Sequence, residues 1–554
     1  MLIVVALIWF APALVVMGSR IVGDGGDNYQ FLGFQFLAHR LWSDGAFPFG
    51  WTNYWRYPVG INFQSATDCT LLSVLGIALY PMLRDPVVVY NSTILILLLA
   101  NALLAYAAFR TWFDEWRSAI GALIYGLSFY SLAKVGGHVN LLSTAGFVML
   151  LAAVCRLHRS GGAWPDWLRL GLACTYLAFS SLQYPLIVIG MAAVLAPFAF
   201  WLLPDESREF LRLLLRSKRR MVATLFGIVL LFSLFHGHKF VDVWNGTLLL
   251  PTDQLSYVSP INWVVPNTYV PTVLAMFPNR TASWIESSVF LGYVEMALLV
   301  AATFLAVSSR VGRFLLVATG VTFVLALGDP GVASRLWPYP YLFSFTPFRG
   351  VIEPARLYVV VYLGVTLLIL YWLSRVRDRR MLALVLLLLT LERLPWNVHL
   401  SQTFRDDALV AAVQKRPTSA VLDFPVYSSW WFGQRYDLYS VFYDRPIVNG
   451  YVHWSGDYPE SRSVVDQFKE YRCNFQGDGT SRTFDPVVAA SNRARIIDWL
   501  GGNNVRTVVV HTDLFPSEEE CGAARQYVTS LFDEPERWEV LLDTPGKRVL
   551  WLKP

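Results

Sequence analysis

Apolar runs of roughly helical-span length recur from residue 2 to residue 395, separated by short polar stretches. A helix needs about 20 mostly apolar residues to cross a membrane, because it rises 1.5 Å per residue through a hydrocarbon core about 30 Å thick. The runs at 2–19, 87–109, 118–133, 139–155, 168–181, 185–203, 221–235, 289–306, 312–327, 355–374 and 381–395 predict about eleven spans, the shorter ones extending into their flanks. Another run, Leu71–Leu83, is too short for this class and carries Pro81. It predicts a re-entrant or interfacial helix inside a long loop, 20–86. The first run lacks the positive start of a signal peptide and many spans follow it, so it is read as a retained helix.

Beyond 395 the period changes. Ala420–Val426 and 504–510 read as buried strands, and 538–542 and 548–552 flank Thr544-Pro545-Gly546 as a hairpin. Residues 489–500 read as a helix before the second strand. The predicted fold is a polytopic α-helical membrane domain, 1–395, followed by a small soluble α/β domain, 396–554, with the boundary near Leu394-Pro395-Trp396.

Composition sharpens this division. Charged residues make up about 12% of 1–395 and about 24% of 396–554, against roughly 25% in soluble domains. With 55% hydrophobic residues and a mean hydropathy of +0.44, a soluble, collagenous or disordered protein is excluded. The net charge of +5 is small, and its basic residues sit in short loops, so nucleic acid is not a partner. Those loops orient the chain, since Lys and Arg mark the cytoplasmic side. With a cytoplasmic start, the clusters at 204–220 (Arg208 to Arg220), 375–380, Arg156/Arg159, Arg310/Arg313 and Arg110/Arg117 all fall inside. Loops 20–86, 236–288 and 328–354 and the whole C-terminal domain then fall outside. Cys473 and Cys521 share the outer domain, where a disulfide is permitted.

Candidate chemistry lies on the outer face. Gly23-Asp24-Gly25-Gly26-Asp27-Asn28 sets two carboxylates among glycines just past the first helix. They read either as a turn capping the amphipathic stretch 31–42 or as a general base or metal ligand. Trp51–Gly60 crowds aromatics around Arg56 and Tyr57, as an interfacial belt or as a sugar-stacking pocket. Lys134, His138 and Asn140 share a tight turn between two spans. Glu286 precedes a span and Tyr293 lies within it; a carboxylate near hydrocarbon is paired or functional. Arg349 and Arg356 flank Glu353 where another span begins, as a salt-bridged cluster or as a phosphate clamp. Asn449–Trp454 is read as a loop, with a position over the active face as the sharper reading. A carboxylate to activate a hydroxyl, cations for a leaving phosphate and aromatics for a sugar together suit glycosyl transfer. Nucleotide-binding, zinc-protease and serine-hydrolase motifs are absent.

The segments GDGGDNYQFLGF (23–34), YPVGINF (57–63), GLSFYSLAKVGGHVNL (126–141), ESSVFLGYVEM (286–296), LALGDP (325–330), RGVIEPARLYVV (349–360) and VLDFPV (421–426) run in the order found in one family. In them the chain resembles the GT-C superfamily of polytopic, polyprenyl-phosphate-sugar-dependent glycosyltransferases, and more closely the bacterial membrane proteins related to it and to YfhO-like proteins. The resemblance implies a long first outer loop with juxtamembrane helices and a soluble outer C-terminal domain in the bacterial cytoplasmic membrane. It implies Asp27 as the catalytic base, with Asp24 as runner-up, and Arg349 and Arg356, joined by His138 and Lys134, on the donor phosphate. Arg56, Tyr57, Asn140, Glu286, Tyr293 and Glu353 are the expected substrate pocket. The implied donor is a polyprenyl-phosphate sugar, with a divalent metal possible, and the acceptor is a glycan, lipid or protein. The Asp-Glu pair of protein mannosyltransferases is missing, because Asn28 follows Asp27. A lipid or polysaccharide transporter and a non-catalytic assembly protein with the same shell are the competing readings.

Overall fold

Each predicted apolar segment winds into helix in the computed structural model, which describes all residues except 68, 245–288, 328–353, 395–397, 417–419, 427–429, 451–463, 465–467, 469–485, 516–524, 527, 530 and 554. Helix α1 (Leu2–Val15) leads into a short strand β1 (Arg20–Val22) and then α2 (Asp27–Ser43). The rest of the long loop holds strands β2 (Trp51–Thr52) and β3 (Ile61–Asn62), the short helix α3 (Phe63–Ala66) and α4 (Thr70–Leu83). Helix α4 covers the run predicted as interfacial and has only 14 residues. It packs on α2 so closely that a Cβ on Gly76 would stand 2.9 Å from the Cβ of Gln35. The amide of Gln35 then donates to the Leu72 carbonyl at 3.0 Å and to Thr93 at 2.8 Å.

The bundle continues with α5 (Pro86–Phe109), α6 (Glu115–Gly126), α7 (Phe129–Lys134), α8 (Ala145–Arg159), α9 (Trp164–Ser180) and α10 (Gln183–Leu202). Next come α11 (Pro204–Arg216), α12 (Lys218–Trp244), α13 (Tyr293–Ala306), α14 (Arg310–Ala326), α15 (Tyr358–Leu373) and α16 (Arg379–Glu392). By length and apolarity, five helical stretches among the described residues suffice to cross a membrane: Pro86–Phe109, Val139–Arg159, Gln183–Leu202, Lys218–Lys239 and Pro354–Leu373. Helix α12 leaves Val222, Phe226, Val229 and Leu230 exposed, a surface suited to lipid rather than water.

Two segments differ from their predicted form. The run 118–133 breaks at Leu127-Ser128 into α6 and α7. The cause is Asn101 of α5, whose amide donates to Gly126 O at 2.6 Å and whose oxygen accepts from Ala145 N at 2.5 Å. The side chain thus takes over the Gly126 carbonyl, which a continuous helix would have paired, and caps the first N–H of α8. The basic stretch 204–220, read as a loop, contains α11, 13 residues long.

The C-terminal region begins by returning to the first loop. Strand β4 (Leu400–Gln402) pairs antiparallel with β1, Ile21 opposite Ser401. Helix α17 (Asp407–Gln414) follows, then β5 (Val421–Phe424), α18 (Trp430–Tyr443), α19 (Pro486–Gly502), β6 (Thr507–His511), β7 (Trp538–Thr544) and β8 (Lys547–Leu552). The sheet order is β5-β6-β8-β7, with β5 and β6 parallel and the terminal hairpin antiparallel. Its core gathers Leu422, Phe424, Val508, Val510, Phe532 and Leu550. Cys473 and Cys521 lie outside the described residues.

Asp406 caps α17 by accepting from the Ala408 and Leu409 amides, and Lys547 of β8 donates to it at 2.8 Å. The Lys547 hydrogen bond is the main cause that holds this carboxyl below its usual range. Its stabilising effect is therefore full above about pH 4 and is lost as pH falls through the lowered folded value. Asp406→Ala is expected to cost about 1 kcal/mol. Thermal melts of the full chain should show the difference at pH 7 and its disappearance in acid.

Candidate active site

The first loop is folded around its glycines. Gly23, at φ 122°, leaves no room for a Cβ, which would stand 2.2 Å from the Asn28 amide. Gly26 at φ 53° is the N-cap of α2, a conformation glycine adopts without steric cost. The turn delivers Asp27 to the first position of α2, where a carboxylate is favoured by the helix dipole.

Backbone pairing fixes this turn from both sides. Gly23 N donates to His399 O at 2.9 Å, and Asp24 N donates to Gly136 O at 2.8 Å. Asn28 is fully buried and donates to Tyr90 at 2.8 Å and to the carbonyls of Val22 and Val135 at 3.2 Å. Asn91 of α5 closes the end of α1, donating to the Met17 and Arg20 carbonyls and accepting from Val22 N. Tyr29 donates to Gln402 O at 3.1 Å, and burial pushes its phenol up to about 12, so it acts as a neutral anchor.

The carboxylate of Asp27 is half-buried between two partners. His138 Nε2 stands 3.7 Å from one oxygen. The amide of Gln434 donates to the other at 2.6 Å. A carboxylate only accepts, so the NH2 of Gln434 must be the group that faces it. Gln434 is fully buried on α18, and so belongs to the C-terminal region rather than to the loop it serves.

The sheet behind holds α18 in turn. Asp423 of β5 accepts from His511 Nε2 at 2.8 Å and from the Tyr443 hydroxyl at 3.2 Å. The His511 ring stacks on Tyr439 with centroids 4.8 Å apart. On its other side α18 reaches the first loop, where Trp55 Nε1 donates to Ser440 at 2.9 Å. One line of support for Asp27 thus runs from the sheet through α18 to the Gln434 amide.

The other expected residues separate into groups. Asp27 and His138 come together, and Asp24 stands in the same turn with its backbone amide on Gly136 O. Lys134, on the last turn of α7, is buried with its ammonium 5.1 Å from the Tyr130 ring centroid, and Asn140 is buried in the short 3-10 turn that follows. Arg56 and Tyr57 sit at the junction with the C-terminal sheet: Tyr57 N donates to Ile447 O at 3.0 Å, and its ring packs on that domain's core. Arg356 is buried in the 3-10 turn Pro354–Leu357 at the start of α15. Tyr293 begins α13, and its backbone N donates to the Glu392 carboxylate. Glu286, Arg349 and Glu353 lie outside the described residues, as do residues 451–454 of the expected loop. Its first residue, Asn449, is paired with the backbone of Asp423.

Sequence reasoning missed Gln434, which carries no local signal. It also missed a buried ionic cluster that was legible: Glu295 lies inside an apolar run, and Glu392-Arg393 closes another. Arg393 donates to Glu295 and to the carbonyls of Leu127 and Leu389. Among the described residues no three His, Cys, Asp or Glu side chains converge as metal ligands.

Long apolar helices, a structured first loop and a C-terminal α/β unit that closes over it define an integral membrane protein with the GT-C glycosyltransferase fold. The arabinofuranosyltransferase AftD from Mycobacteria shares it, with a TM-score of 0.53 at 14% identity over 100% of this chain. The chain spans 40% of the length of AftD. Weaker likenesses are the oligosaccharyltransferase AglB from Archaeoglobus fulgidus, solved with an inhibitory peptide and a dolichol-phosphate (TM-score 0.46, 13% identity, 95% of this chain and 70% of that one), and ArnT from Cupriavidus metallidurans bound to undecaprenyl phosphate (0.40, 11%, 99% and 96%). As a sequence, the chain matches no family model and no curated protein.

Proposed function

We propose that this protein is a membrane glycosyltransferase that moves a sugar from a polyprenyl-phosphate donor to an acceptor hydroxyl outside the bacterial cytoplasmic membrane. The observation that carries this reading is Asp27, held at the start of α2 between His138 and Gln434 in a GT-C fold. In the reaction Asp27 takes the acceptor proton while the acceptor oxygen bonds to the anomeric carbon. The bond from that carbon to the phosphate oxygen breaks, and the polyprenyl phosphate leaves with the electron pair. Attack opposite the leaving group inverts the anomeric centre. His138, 3.7 Å from the Asp27 carboxylate, is assigned to the leaving phosphate. Arg356, with Arg349 and Lys134, is assigned to the leaving phosphate, and Asp24 supports the turn. Eleven spans, a boundary near 395 and an outer C-terminal domain complete the reading, supported by basic loops that all fall on one side.

Mass spectrometry of lipids co-purified with the full chain tests it. Polyprenyl phosphate or its sugar conjugate is expected, together with formation of a new glycosidic bond when acceptor membranes are added. Movement of a lipid across proteoliposomes with no such bond would instead indicate a transporter.

Gln434 gives a second test. Gln434→Ala removes a donor to the charged form of Asp27, so the acid limb of the pH–rate profile is expected to move to higher pH. The maximal rate should fall on the order of tenfold to a hundredfold, as loss of positioning predicts. An unchanged pH profile would show that the amide only packs.

A further inference from the structure

Helix α11 joins two candidate spans through single residues, Leu203 and Ser217. It therefore cannot leave the membrane surface on which α10 ends and α12 begins. Its 13 residues extend about 20 Å.

Its faces are sorted three ways. Leu213, with Phe210 and Leu214, packs on Leu157 and Trp167 of the bundle. Leu211 and Leu215, one turn apart, are exposed, Leu215 at 74%. Beside them Arg208, Arg212 and Arg216 form a second exposed stripe at the same spacing. Among the described residues none of these three arginines is ion-paired. The acidic residues Asp205 and Glu206 are confined to the first turn, and Glu209 points to His158 at 3.7 Å. Acid first and base last complements a helix dipole. The dipole does not call for two exposed leucines between the bundle-facing side and the cations. That order of faces fits a helix lying in an interface, apolar stripe toward acyl chains and guanidinium groups at headgroup level. Continuity supports it: Trp201 at the end of α10 and Val222 at the start of α12 are exposed at 72% and 59%.

We propose that α11 lies in the membrane plane as an anionic-lipid site, with Leu211 and Leu215 among acyl chains and Arg208, Arg212 and Arg216 on phospholipid phosphates. Fork-shaped guanidinium groups suit phosphate oxygens, and each cation near an anionic surface favours it about fivefold.

The test places a photoreactive benzoylphenylalanine at Leu215 of the full chain in nanodiscs of phosphatidylcholine and phosphatidylglycerol. Phospholipid adducts are expected, with phosphatidylglycerol enriched on the order of tenfold over its bulk share. Replacing Arg208, Arg212 and Arg216 together by Gln should return the adducts to the bulk ratio, whereas replacing all three by Lys should keep most of the enrichment. Native mass spectrometry of retained lipids gives the same comparison without the probe. Adducts at the bulk ratio in the otherwise unaltered chain, enrichment that survives the triple Gln variant, or a polypeptide captured at Leu215 in cells would each overturn the proposal.

Discussion

Asp27→Asn is expected to lower sugar transfer on the order of a hundredfold to ten-thousandfold, the range in which general bases contribute, while leaving the chain folded. Asparagine matches the shape and can still accept from Gln434, whose amide stands 2.6 Å from the carboxylate. The turn beneath it does not depend on the charge. It is held by the conformations of Gly23 and Gly26, by the Asn28 bonds and by the pairing of Gly23 and Asp24 with His399 and Gly136. Rate should therefore fall without a matching loss of thermal stability, with product measured as labelled sugar released from the polyprenyl-phosphate donor. Asp24→Asn is the control: this residue lies in the same turn but ahead of α2, with its backbone amide on Gly136 O, and its replacement should cost far less. Full transfer by Asp27→Asn would end the assignment, and a larger loss in Asp24→Asn would move the base to position 24.

The helices were legible because lipid-facing and core-facing surfaces both select apolar side chains, so each span shows as an unbroken run. The C-terminal strands were legible for a related reason: Val421–Phe424 and Thr507–His511 are fully buried and read as short apolar stretches between turns. Helix α18 was not legible. Tyr436 to Val441 are buried on every side of it, so no amphipathic period marks the segment. That helix carries Gln434, 407 residues from the carboxylate it serves, and no local pattern encodes such a distance. The turn that carries Asp27 was legible, since two carboxylates among glycines follow the first apolar run at 23–28. The partners of Asp27 were not, because they follow from how the C-terminal sheet closes on the first loop. The break between α6 and α7 was hidden for the same kind of reason: Asn101, 25 residues before Gly126, reads as one polar residue in an apolar run until the two helices meet.

Arg393→Ala is expected to destabilise the chain by about 3–5 kcal/mol, because it strands a buried carboxylate without its cation. Arg393 is 2% exposed and Glu295 is wholly buried. The guanidinium does more than neutralise. Its Nε and Nη1 donate to Leu127 O beyond the end of α6 and to Leu389 O near the end of α16, at 3.0 and 3.1 Å, while Nη2 pairs with Glu295. The neighbouring Glu392 accepts from Tyr293 N and Val294 N at the start of α13. Two adjacent residues thus satisfy end groups of three helices, which water would otherwise have to reach. Lysine cannot hold three acceptors in a planar fork, so Arg393→Lys should recover only part of the loss. Arg393→Met combined with Glu295→Leu should be less harmful than Arg393→Ala, since removing both charges leaves neither unpaired. Melting of these three variants, with Arg393→Met and Glu295→Leu singly, in one detergent checks this. A double variant as unstable as the sum of its single replacements would mean that packing, not charge pairing, holds this corner of the bundle.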